Sequence, residues 1–319
     1  MSAWPIITVV TPSYNQAQYL EVALESVISQ HYPRLEYIVM DGGSTDESVE
    51  IIRRRGEHIT TWVSEPDEGQ ADAINKGFAR SRGEIVTFLN SDDFYFPGAL
   101  FSVAEAFMSH PDVGVVYGYG RFVAENGQPV RDVGGPVNPE GMIDGVYPAL
   151  PQPAVFLRRA VIEKVGGLDT SLHFALDGEF FWRAFANFDS LFIPEVLAAL
   201  RLQPRSKSVS SGASFAPEIL RIAEKVISDP EAYPRFRSSA DDIRSAAHLN
   251  SSRFLYNNGQ YRDSLFALLK SVRLSRRHSV AIVTREVPRL VAHAILGKTL
   301  YERLGAMRHP IARRSENPP

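Results

Sequence analysis

The chain has 319 residues, of which 44% are hydrophobic and 22% are charged. This composition excludes disordered, fibrous and collagen-like proteins, and the length suffices for one large core with an appendage or for two domains. The formal net charge of −3 is the sum over an acidic N-terminal part and a basic C-terminal part. Residues 1–220 hold 16 basic and 28 acidic side chains, and residues 221–319 hold 18 and 9.

A cytoplasmic location is the expectation from the sequence. The chain lacks cysteine, which excludes a disulfide scaffold, a thiol nucleophile and a cysteine-ligated zinc site. No charged segment followed by a long apolar run opens the chain, so no signal peptide is predicted. No uninterrupted apolar stretch approaches the roughly 20 residues that span a bilayer. We therefore expect any membrane contact to be peripheral, at the inner face of the membrane.

The first hundred residues alternate short apolar runs with helical patterns, which is typical of an α/β layer built from βαβ units. Strands are predicted near residues 6–11, 35–40, 59–63 and 85–89. Helices are predicted between them, near residues 17–29, 45–54 and 70–80.

The next part of the chain is less regular. Residues 113–119 predict another strand, and the Gly- and Pro-rich residues 126–153 exclude a regular helix. An irregular segment of this length is more often functional than idle. Helices are then predicted at residues 157–165 and 178–188, and a strand at 191–200. Beyond a polar segment the pattern is wholly helical and the charge turns basic, so we place a domain boundary near residue 215.

Polar segments follow the four strands predicted in the first hundred residues. They read TPSYN at residues 11–15, DGGSTD at 41–46, EPDEGQAD at 65–72 and NSDD at 90–93. In open α/β sheets, ligands bind at the carboxyl ends of the strands. No GxGxxG follows the first strand and no GxxxxGK[ST] occurs, which argues against a dinucleotide-dependent oxidoreductase and a P-loop NTPase.

Each segment alone has a structural explanation beside a functional one. Tyr14 would stack on a base or lie half-buried in a turn. Asp41 would accept hydrogen bonds from a ligand, or it would only precede a helix that Ser44 caps. The acidic residues at 65–72 would, in the structural explanation, offset the dipole of the helix that they begin. Asp92 and Asp93 repel one another unless Mg²⁺ or Mn²⁺ lies between them and a ligand's phosphates, and a solvated turn is the alternative.

As an ordered group, these segments with DAINKG at residues 72–77 resemble the family 2 glycosyltransferases of the GT-A fold. The resemblance runs from about residue 6 to residue 208, roughly two thirds of the chain. It implies an α/β fold with a Rossmann-like open mixed sheet flanked by helices and a C-terminal helical appendage. Residues 1–100 would form the nucleotide-sugar half and residues 101–215 the acceptor half of a glycosyltransferase domain, followed by a basic all-helical region at 216–319.

The resemblance also implies a site for a nucleotide-diphosphate sugar as donor. Tyr14 would lie against the base and Asp41 would hydrogen-bond the base. Asp92 with Asp93 would bind the Mg²⁺ or Mn²⁺ ion that holds the diphosphate. The donor-binding residues that it implies are Pro12, Tyr14, Asn15, Asp41, Gln70, Asp72, Ser91 and Asp92.

The family's catalytic base opens a helix, here within LDGEFFWR at residues 176–183. Asp177 aligns with the base and Glu179 is the second choice, because a carboxylate must take the proton of the acceptor hydroxyl. Helix capping by Asp177 is the structural alternative. Trp182 and Gln152, the latter in a segment that resembles the family's acceptor-side strand, are candidates for acceptor binding.

One segment departs from the family pattern. Many relatives carry RxHxxSKS, whose histidine completes the metal site, whereas residues 201–208 read RLQPRSKS and Gln203 replaces that histidine. An amide oxygen is a weaker ligand. As a metal ligand Gln203 would hold the ion more loosely, or Lys207 and Arg205 would help at the diphosphate.

The basic tail carries no comparable motif. Residues 257–274 look like half of a helix pair of the tetratricopeptide type, in a single copy that predicts no repeat array, and Pro288 marks the start of a last amphipathic helix. Two alternatives stay open for these helices: peripheral contact with an anionic membrane, or packing against the catalytic domain or in a homo-oligomer. Dispersed arginines without a recognised binding module argue against nucleic acid as a partner.

The resulting hypothesis is a metal-dependent inverting glycosyltransferase. It would move a sugar from a nucleotide-diphosphate donor to a hydroxyl of a glycan or lipid-linked acceptor in cell-surface polysaccharide synthesis. The alternative is a non-catalytic sugar-nucleotide-binding or scaffold protein that retains the fold, in whose favour Gln203 counts. A nucleotidyltransferase would need a Gly-rich basic phosphate loop after the first strand, and TPSYN is not such a loop.

Overall fold

The structure, a computed structural model, describes residues 4–137, 150–204, 206–236 and 240–275. These residues form two compact units. The first unit holds the described residues up to Ser210 together with 228–236, and the second holds 211–227 and 240–275. Arg205 and the helix predicted to begin at Pro288 lie outside the described residues.

A mixed sheet forms the centre of the first unit. The strands described in it are β1 (Ile7–Ser13), β2 (Leu35–Asp41), β3 (Thr61–Ser64), β4 (Ile85–Phe88), β5 (Phe94–Tyr95), β6 (Val115–Ala124), β7 (Pro129–Val133), β8 (Val155–Arg158) and β9 (Ser190–Leu202). Their order is β3-β2-β1-β4-β8-β6-β9-β5, and β7 pairs with β6 beyond the end of β8.

One half of this sheet is parallel and the other half is mixed. Strands β3, β2, β1 and β4 run parallel, and every residue of β1 is buried, as expected for a strand covered on both faces. Strand β8 runs antiparallel to β4 and β6, whereas β9 runs parallel to β6. The predicted open mixed sheet flanked by helices is therefore confirmed.

The helices of the first unit connect and cover these strands. Parallel neighbours need crossover connections, and helices supply them between β1, β2, β3 and β4. The α-helices among the described residues of this unit are α1 (Ala17–Ile28), α2 (Ser48–Arg54), α3 (Gln70–Arg80), α4 (Ala99–Ser109), α5 (Arg159–Val165), α6 (Leu176–Asn187) and α7 (Lys207–Ser210). No helix in the described ranges is both long and apolar enough to cross a bilayer.

Helix α6 is fixed on the sheet by aromatic side chains. The ring of Phe181 stacks on Phe88 of β4 with 6.4 Å between centroids, and the ring of Phe185 meets Tyr117 of β6 edge-on at 5.4 Å. Both phenylalanines are buried, as their helical spacing predicts. The first turn of α6, which carries Asp177, is therefore attached to a rigid element.

One predicted helix is partly wrong. Leu157 and Arg158 were expected in a helix over residues 157–165, but they belong to β8, and α5 begins at Arg159. The segment from Val155 pairs antiparallel with both β4 and β6, which buries its apolar side chains between two strands. Tertiary pairing of this kind overrides a short helical pattern. The other predicted elements in the described residues are present, with ends that differ by a few residues.

The second unit consists of α8 (Phe215–Ser228), whose last residue belongs to the first unit, α9 (Ala240–Asn257) and α10 (Tyr261–Leu274). Helices α9 and α10 form an antiparallel pair. The Ser245 hydroxyl donates to the Ser271 carbonyl over 2.8 Å, and the Ser264 hydroxyl donates to the Ser252 carbonyl over 2.7 Å. The turn between the helices contains Gly259 at φ +77°, a conformation that glycine adopts without strain.

Candidate active site

The carboxyl ends of β1, β2 and β3 meet at one edge of the sheet, where Ser13 pairs with Asp41 and Asp41 pairs with Ser64. Asp41 is 2% exposed. Its carboxylate accepts hydrogen bonds from the Ser44 amide (2.9 Å), the Ser44 hydroxyl (2.6 Å) and the Ser64 hydroxyl (2.8 Å). A carboxylate has about four acceptor positions, so these donors fix its orientation and leave capacity for a ligand.

Tyr14 lies on a short loop that is held in place by its neighbour Asn15. Asn15 has φ +52°, a left-handed conformation that asparagine tolerates better than most residues. Its amide donates to the Ser44 hydroxyl over 2.8 Å, and its side-chain oxygen accepts from the Thr45 amide over 2.8 Å. The Tyr14 ring is 61% exposed at this edge and is available for stacking.

The two carboxylates that follow β4 occupy different environments. Asp93 is buried, and its Oδ1 accepts from the Arg201 amide over 2.9 Å. Asp92 is half-buried, and its Oδ2 accepts from the Gln203 side-chain nitrogen over 3.1 Å. Burial raises the pKa of both carboxyl groups, and the neighbouring charge of Asp92 raises the pKa of Asp93 further. Ionising both carboxyl groups together is therefore unfavourable in the protein alone.

This donor set fits a hard divalent cation that is shared with a ligand. No cluster of three or more His, Cys, Asp or Glu side chains suited to a metal occurs in the part of the chain that the structure describes. Mg²⁺ keeps several waters and binds one or two carboxylates together with substrate phosphates, so a full protein cage is not needed. Asp92 is the carboxylate that would hold the ion, and the buried Asp93 would lie on the protein side of Asp92. Gln203 presents its nitrogen to Asp92, as a hydrogen-bond donor.

Amide side chains connect the candidate donor residues to one another. Gln70, at the start of α3, donates to the Asn90 side-chain oxygen over 2.7 Å. Asn90 donates to the Gln152 side-chain oxygen over 2.9 Å, and Gln152 donates to the Phe88 carbonyl over 2.7 Å. Gln152 is 5% exposed, so the structure places it in support of Asn90 and not at an open surface.

Lys207 links this network to the loop before α6. Its ammonium group donates to the Gln70 side-chain oxygen over 2.9 Å and to the His173 carbonyl over 2.7 Å. The basic segment after β9 therefore lies beside the strand-end residues. Lys207 therefore brings one positive charge to the network of Gln70 and Asn90.

Asp177 is half-buried in the first turn of α6, and its Oδ1 accepts from the Gly178 amide over 2.8 Å. Glu179 lies in the same turn but is fully buried. Its carboxylate pairs with Arg183 at 2.7 Å and accepts from the Tyr233 hydroxyl over 2.9 Å. The second choice for the base is thus part of an internal ion pair, because its side chain points into the core.

Trp182 is also in the core. Its ring is fully buried and packs on Phe236 with 5.4 Å between centroids. Its indole nitrogen has no hydrogen-bond partner among the described residues. The structure therefore does not bring Trp182 to a surface that an acceptor reaches, because the face of α6 that carries it is covered by residues 228–236.

The remaining residues predicted to bind the donor lie at the same edge of the sheet and differ in their exposure to solvent. Asp72 in α3 accepts from the Glu68 amide over 3.0 Å and pairs with Lys76 at 2.9 Å, and these contacts lower its pKa. Pro12 in β1 and Ser91 after β4 are buried. Asp72 thus stabilises the start of α3 through its own contacts.

Sequence reasoning assigned no role to Arg201 and Ser64. Arg201 donates its backbone amide to Asp93 and its guanidinium to the Asp92 carbonyl (3.0 Å) and the Glu125 carbonyl (2.6 Å). An arginine in an apolar strand is a visible signal, but its partners are more than 70 residues away in sequence. Ser64 ends a short strand and carried no signal of its contact with Asp41.

Comparison with known proteins assigns the chain to a family. The family model for glycosyl transferase family 2 matches residues 8–166. The uncharacterized glycosyltransferase Rv1514c of Mycobacterium tuberculosis is 33% identical over 190 residues, which cover 58% of this chain and 70% of that protein. TuaG of Bacillus subtilis, whose name assigns it to teichuronic acid biosynthesis, is 34% identical over 134 residues, 41% of this chain and 53% of TuaG.

Solved structures of glycosyltransferases share the fold. S. aureus TarS 1-349 in complex with UDP-GlcNAc has a TM-score of 0.63 at 18% identity. The match covers 98% of this chain and 94% of the TarS chain. The mannosyltransferase PcManGT of Pyrobaculum calidifontis, in complex with GDP-Man and Mn²⁺, has a TM-score of 0.61 at 20% identity. The match covers 97% of this chain and 82% of the PcManGT chain. By its sequence matches, and with the GT-A-like fold that these structures share with it, the chain belongs to glycosyl transferase family 2.

Proposed function

We propose that this family 2 glycosyltransferase is an inverting, metal-dependent enzyme that transfers a sugar from a nucleotide-diphosphate donor to a hydroxyl of a glycan or lipid-linked acceptor in cell-surface polysaccharide synthesis. The observation that carries the proposal is the difference between the adjacent carboxylates: Asp93 is buried and fixed by Arg201, whereas Asp92 is half-buried. The teichuronic acid assignment in the name of TuaG supports the pathway class.

The donor would bind along the strand-end edge. The exposed Tyr14 ring would stack on the base, and Asp41, oriented by Ser44 and Ser64, would accept a hydrogen bond from it. Asp92 would hold a divalent cation, which as a Lewis acid stabilises the charge that develops on the leaving diphosphate. The complexes of TarS with UDP-GlcNAc and of PcManGT with GDP-Man and Mn²⁺ support a nucleotide sugar and a divalent ion as ligands.

The transfer would take place in one displacement. The acceptor oxygen forms a bond to the anomeric carbon while the bond from that carbon to the diphosphate oxygen breaks, so the nucleoside diphosphate leaves and the anomeric configuration inverts. The hydroxyl proton passes to the carboxylate of Asp177 as general base. Asp177 suits this role because it is half-buried on a rigid helix, whereas Glu179 is neutralised by Arg183.

The experiment compares the unmodified protein with Asp177→Asn and with Asp132→Asn. Asp132 is an exposed aspartate that pairs with Arg121 in the β6–β7 ribbon, and it serves as the matched control. Donor binding by calorimetry and release of nucleoside diphosphate in the presence of a membrane and glycan extract are measured. We expect D177N to bind donor normally and to lose turnover by at least roughly a hundredfold. Near-normal turnover of D177N would overturn the assignment of the base.

The contact between Gln203 and Asp92 favours a second candidate, a sugar-nucleotide-binding protein without catalysis. The amide nitrogen of Gln203 already occupies one acceptor position of Asp92, at 3.1 Å. Such a protein would bind a nucleotide sugar but would release no nucleoside diphosphate, either to an acceptor or to water. The same binding and turnover measurements on the unmodified protein distinguish this candidate from the enzyme.

A further inference from the structure

Helix α10 buries Leu268 together with small side chains, and it exposes two other large apolar side chains. The face that packs in the second unit carries Ser264, Ala267, Leu268 and Ser271, all of them buried. The opposite face carries Phe266 and Leu269, which are 68% and 51% exposed. A helix that only served the fold would place its large apolar residues inward. The exposed pair is a candidate contact for a partner, which the charges around it help to define.

Cations surround the exposed pair on the same face. Successive residues of a helix are rotated by about 100°, so Arg262, Phe266, Leu269 and Arg273 form a row along the helix within an arc of about 60°. Lys270 flanks this row, with its ammonium nitrogen 5.8 Å from the centre of the Phe266 ring.

All three cations are exposed. Asp263 is the acidic residue on this side of α10 and is exposed as well. The face therefore presents two apolar side chains with a positive charge at each end and an excess of positive charge overall. We call the residues Arg262, Phe266, Leu269, Lys270 and Arg273 the α10 face.

We propose that the α10 face is a docking surface for an anionic lipid bilayer. Large apolar side chains enter the boundary between headgroups and acyl chains, and flanking Arg and Lys side chains lay their stems along the apolar surface while their charges reach the headgroups. Anionic lipids attract basic residues next to such an anchor.

A second copy of this chain is a poorer fit. A symmetric contact through the α10 face would set the same patch of each copy against the other, and the three cations of one copy would meet those of its partner. The proposal does not depend on the catalytic assignment, because none of the α10 face residues belongs to the candidate active site.

The test is flotation of the full chain with vesicles of equal parts phosphatidylglycerol and phosphatidylcholine, compared with vesicles of phosphatidylcholine alone. We expect binding to the anionic vesicles only, weakened by salt. The double variant F266S/L269S should lower the partition coefficient at least roughly tenfold, since each side chain contributes apolar burial. The triple variant R262Q/K270Q/R273Q should lower it on the order of a hundredfold.

The matched control is M108S/V130S, which removes two exposed apolar side chains (42% and 54% exposed) from the first unit. It should bind vesicles as the unmodified protein does, and circular dichroism checks that all variants stay folded. No binding of the unmodified protein to anionic vesicles would overturn the proposal. So would full binding by the F266S/L269S variant, or a dimer in solution that this variant dissociates without any vesicle binding.

Discussion

The backbone amide of Arg201 donates a hydrogen bond of 2.9 Å to Oδ1 of Asp93, while its guanidinium donates to the Asp92 carbonyl over 3.0 Å. Strand β9 thereby holds the turn after β4 at both aspartates. As a consequence, Asp93 is kept inside the protein and Asp92 remains half-buried at the surface. Holding two carboxyl groups side by side in this partly buried turn carries an electrostatic cost when they ionise.

The variant Asp93→Asn tests this cost. Burial and the charge of Asp92 raise the pKa of Asp93, so its ionised form is unfavourable in the metal-free protein. Asparagine keeps an oxygen for the Arg201 amide and removes the charge. We expect a higher melting temperature without metal and an Mn²⁺ affinity lowered roughly tenfold, as for partners behind a metal ligand. A lower melting temperature of D93N would contradict the account.

The variant Ser44→Ala tests how Asp41 is oriented. It removes the hydroxyl that donates to Asp41 over 2.6 Å and accepts from the Asn15 amide over 2.8 Å, and so loosens two predicted donor contacts. We expect the donor Kd to rise roughly tenfold with kcat nearly unchanged, measured by calorimetry and initial rates. Ser102→Ala is the matched control: Ser102 lies on α4, the variant loses one exposed contact to Glu195 of β9, and neither quantity should change.

The variant Tyr233→Phe tests the buried ion pair of α6. The Tyr233 hydroxyl donates to the fully buried Glu179 carboxylate over 2.9 Å, and its loss leaves that charge with fewer donors. We expect the free energy of unfolding to fall by about 1–3 kcal/mol in urea titrations. Donor affinity should stay the same. A fall in donor affinity without loss of stability would show instead that Glu179 acts in the site.

Glu36 gives a prediction for pH dependence. Burial alone would raise the pKa of Glu36, but hydrogen bonds from the Arg82 amide (2.6 Å) and the Thr8 hydroxyl (2.6 Å) outweigh it and lower the pKa below 4.5. A lowered folded-state pKa contributes stability above the unfolded pKa, and this contribution is lost as the pH falls through the folded pKa. Urea titrations below pH 4.5 should show this loss, and Glu36→Gln should flatten it. An unchanged acid limb in E36Q would contradict the assignment.

The sequence predicted the strand-end edge well because the relevant signals are local. Each polar segment directly follows an apolar strand, and parallel strands bring their carboxyl ends together, so Asp41 and Asp92 could be assigned to one edge. The contacts of Arg201 with residues near position 92 could not be foreseen, since they join strands far apart in sequence. Strand β8 was missed in part because its pairing partners also lie elsewhere in the chain.

The side chains of α6 show the same limit. Helical spacing indicated that Phe181 and Phe185 are in the core, and the structure places them there. It gave no sign that residues 228–236 return to the first unit and cover the side of α6 that carries Glu179 and Trp182. A return of the chain to an earlier unit leaves no periodic signal in the sequence.

Calorimetric titration of UDP-GlcNAc and GDP-Man into the unmodified protein and into Asp92→Asn, with and without Mn²⁺, tests the central claim most directly. The account predicts that at least one donor binds the unmodified protein, that Mn²⁺ strengthens this binding at least roughly tenfold, and that D92N loses the Mn²⁺ effect. Donor binding that is equally tight without Mn²⁺ or in D92N would contradict it.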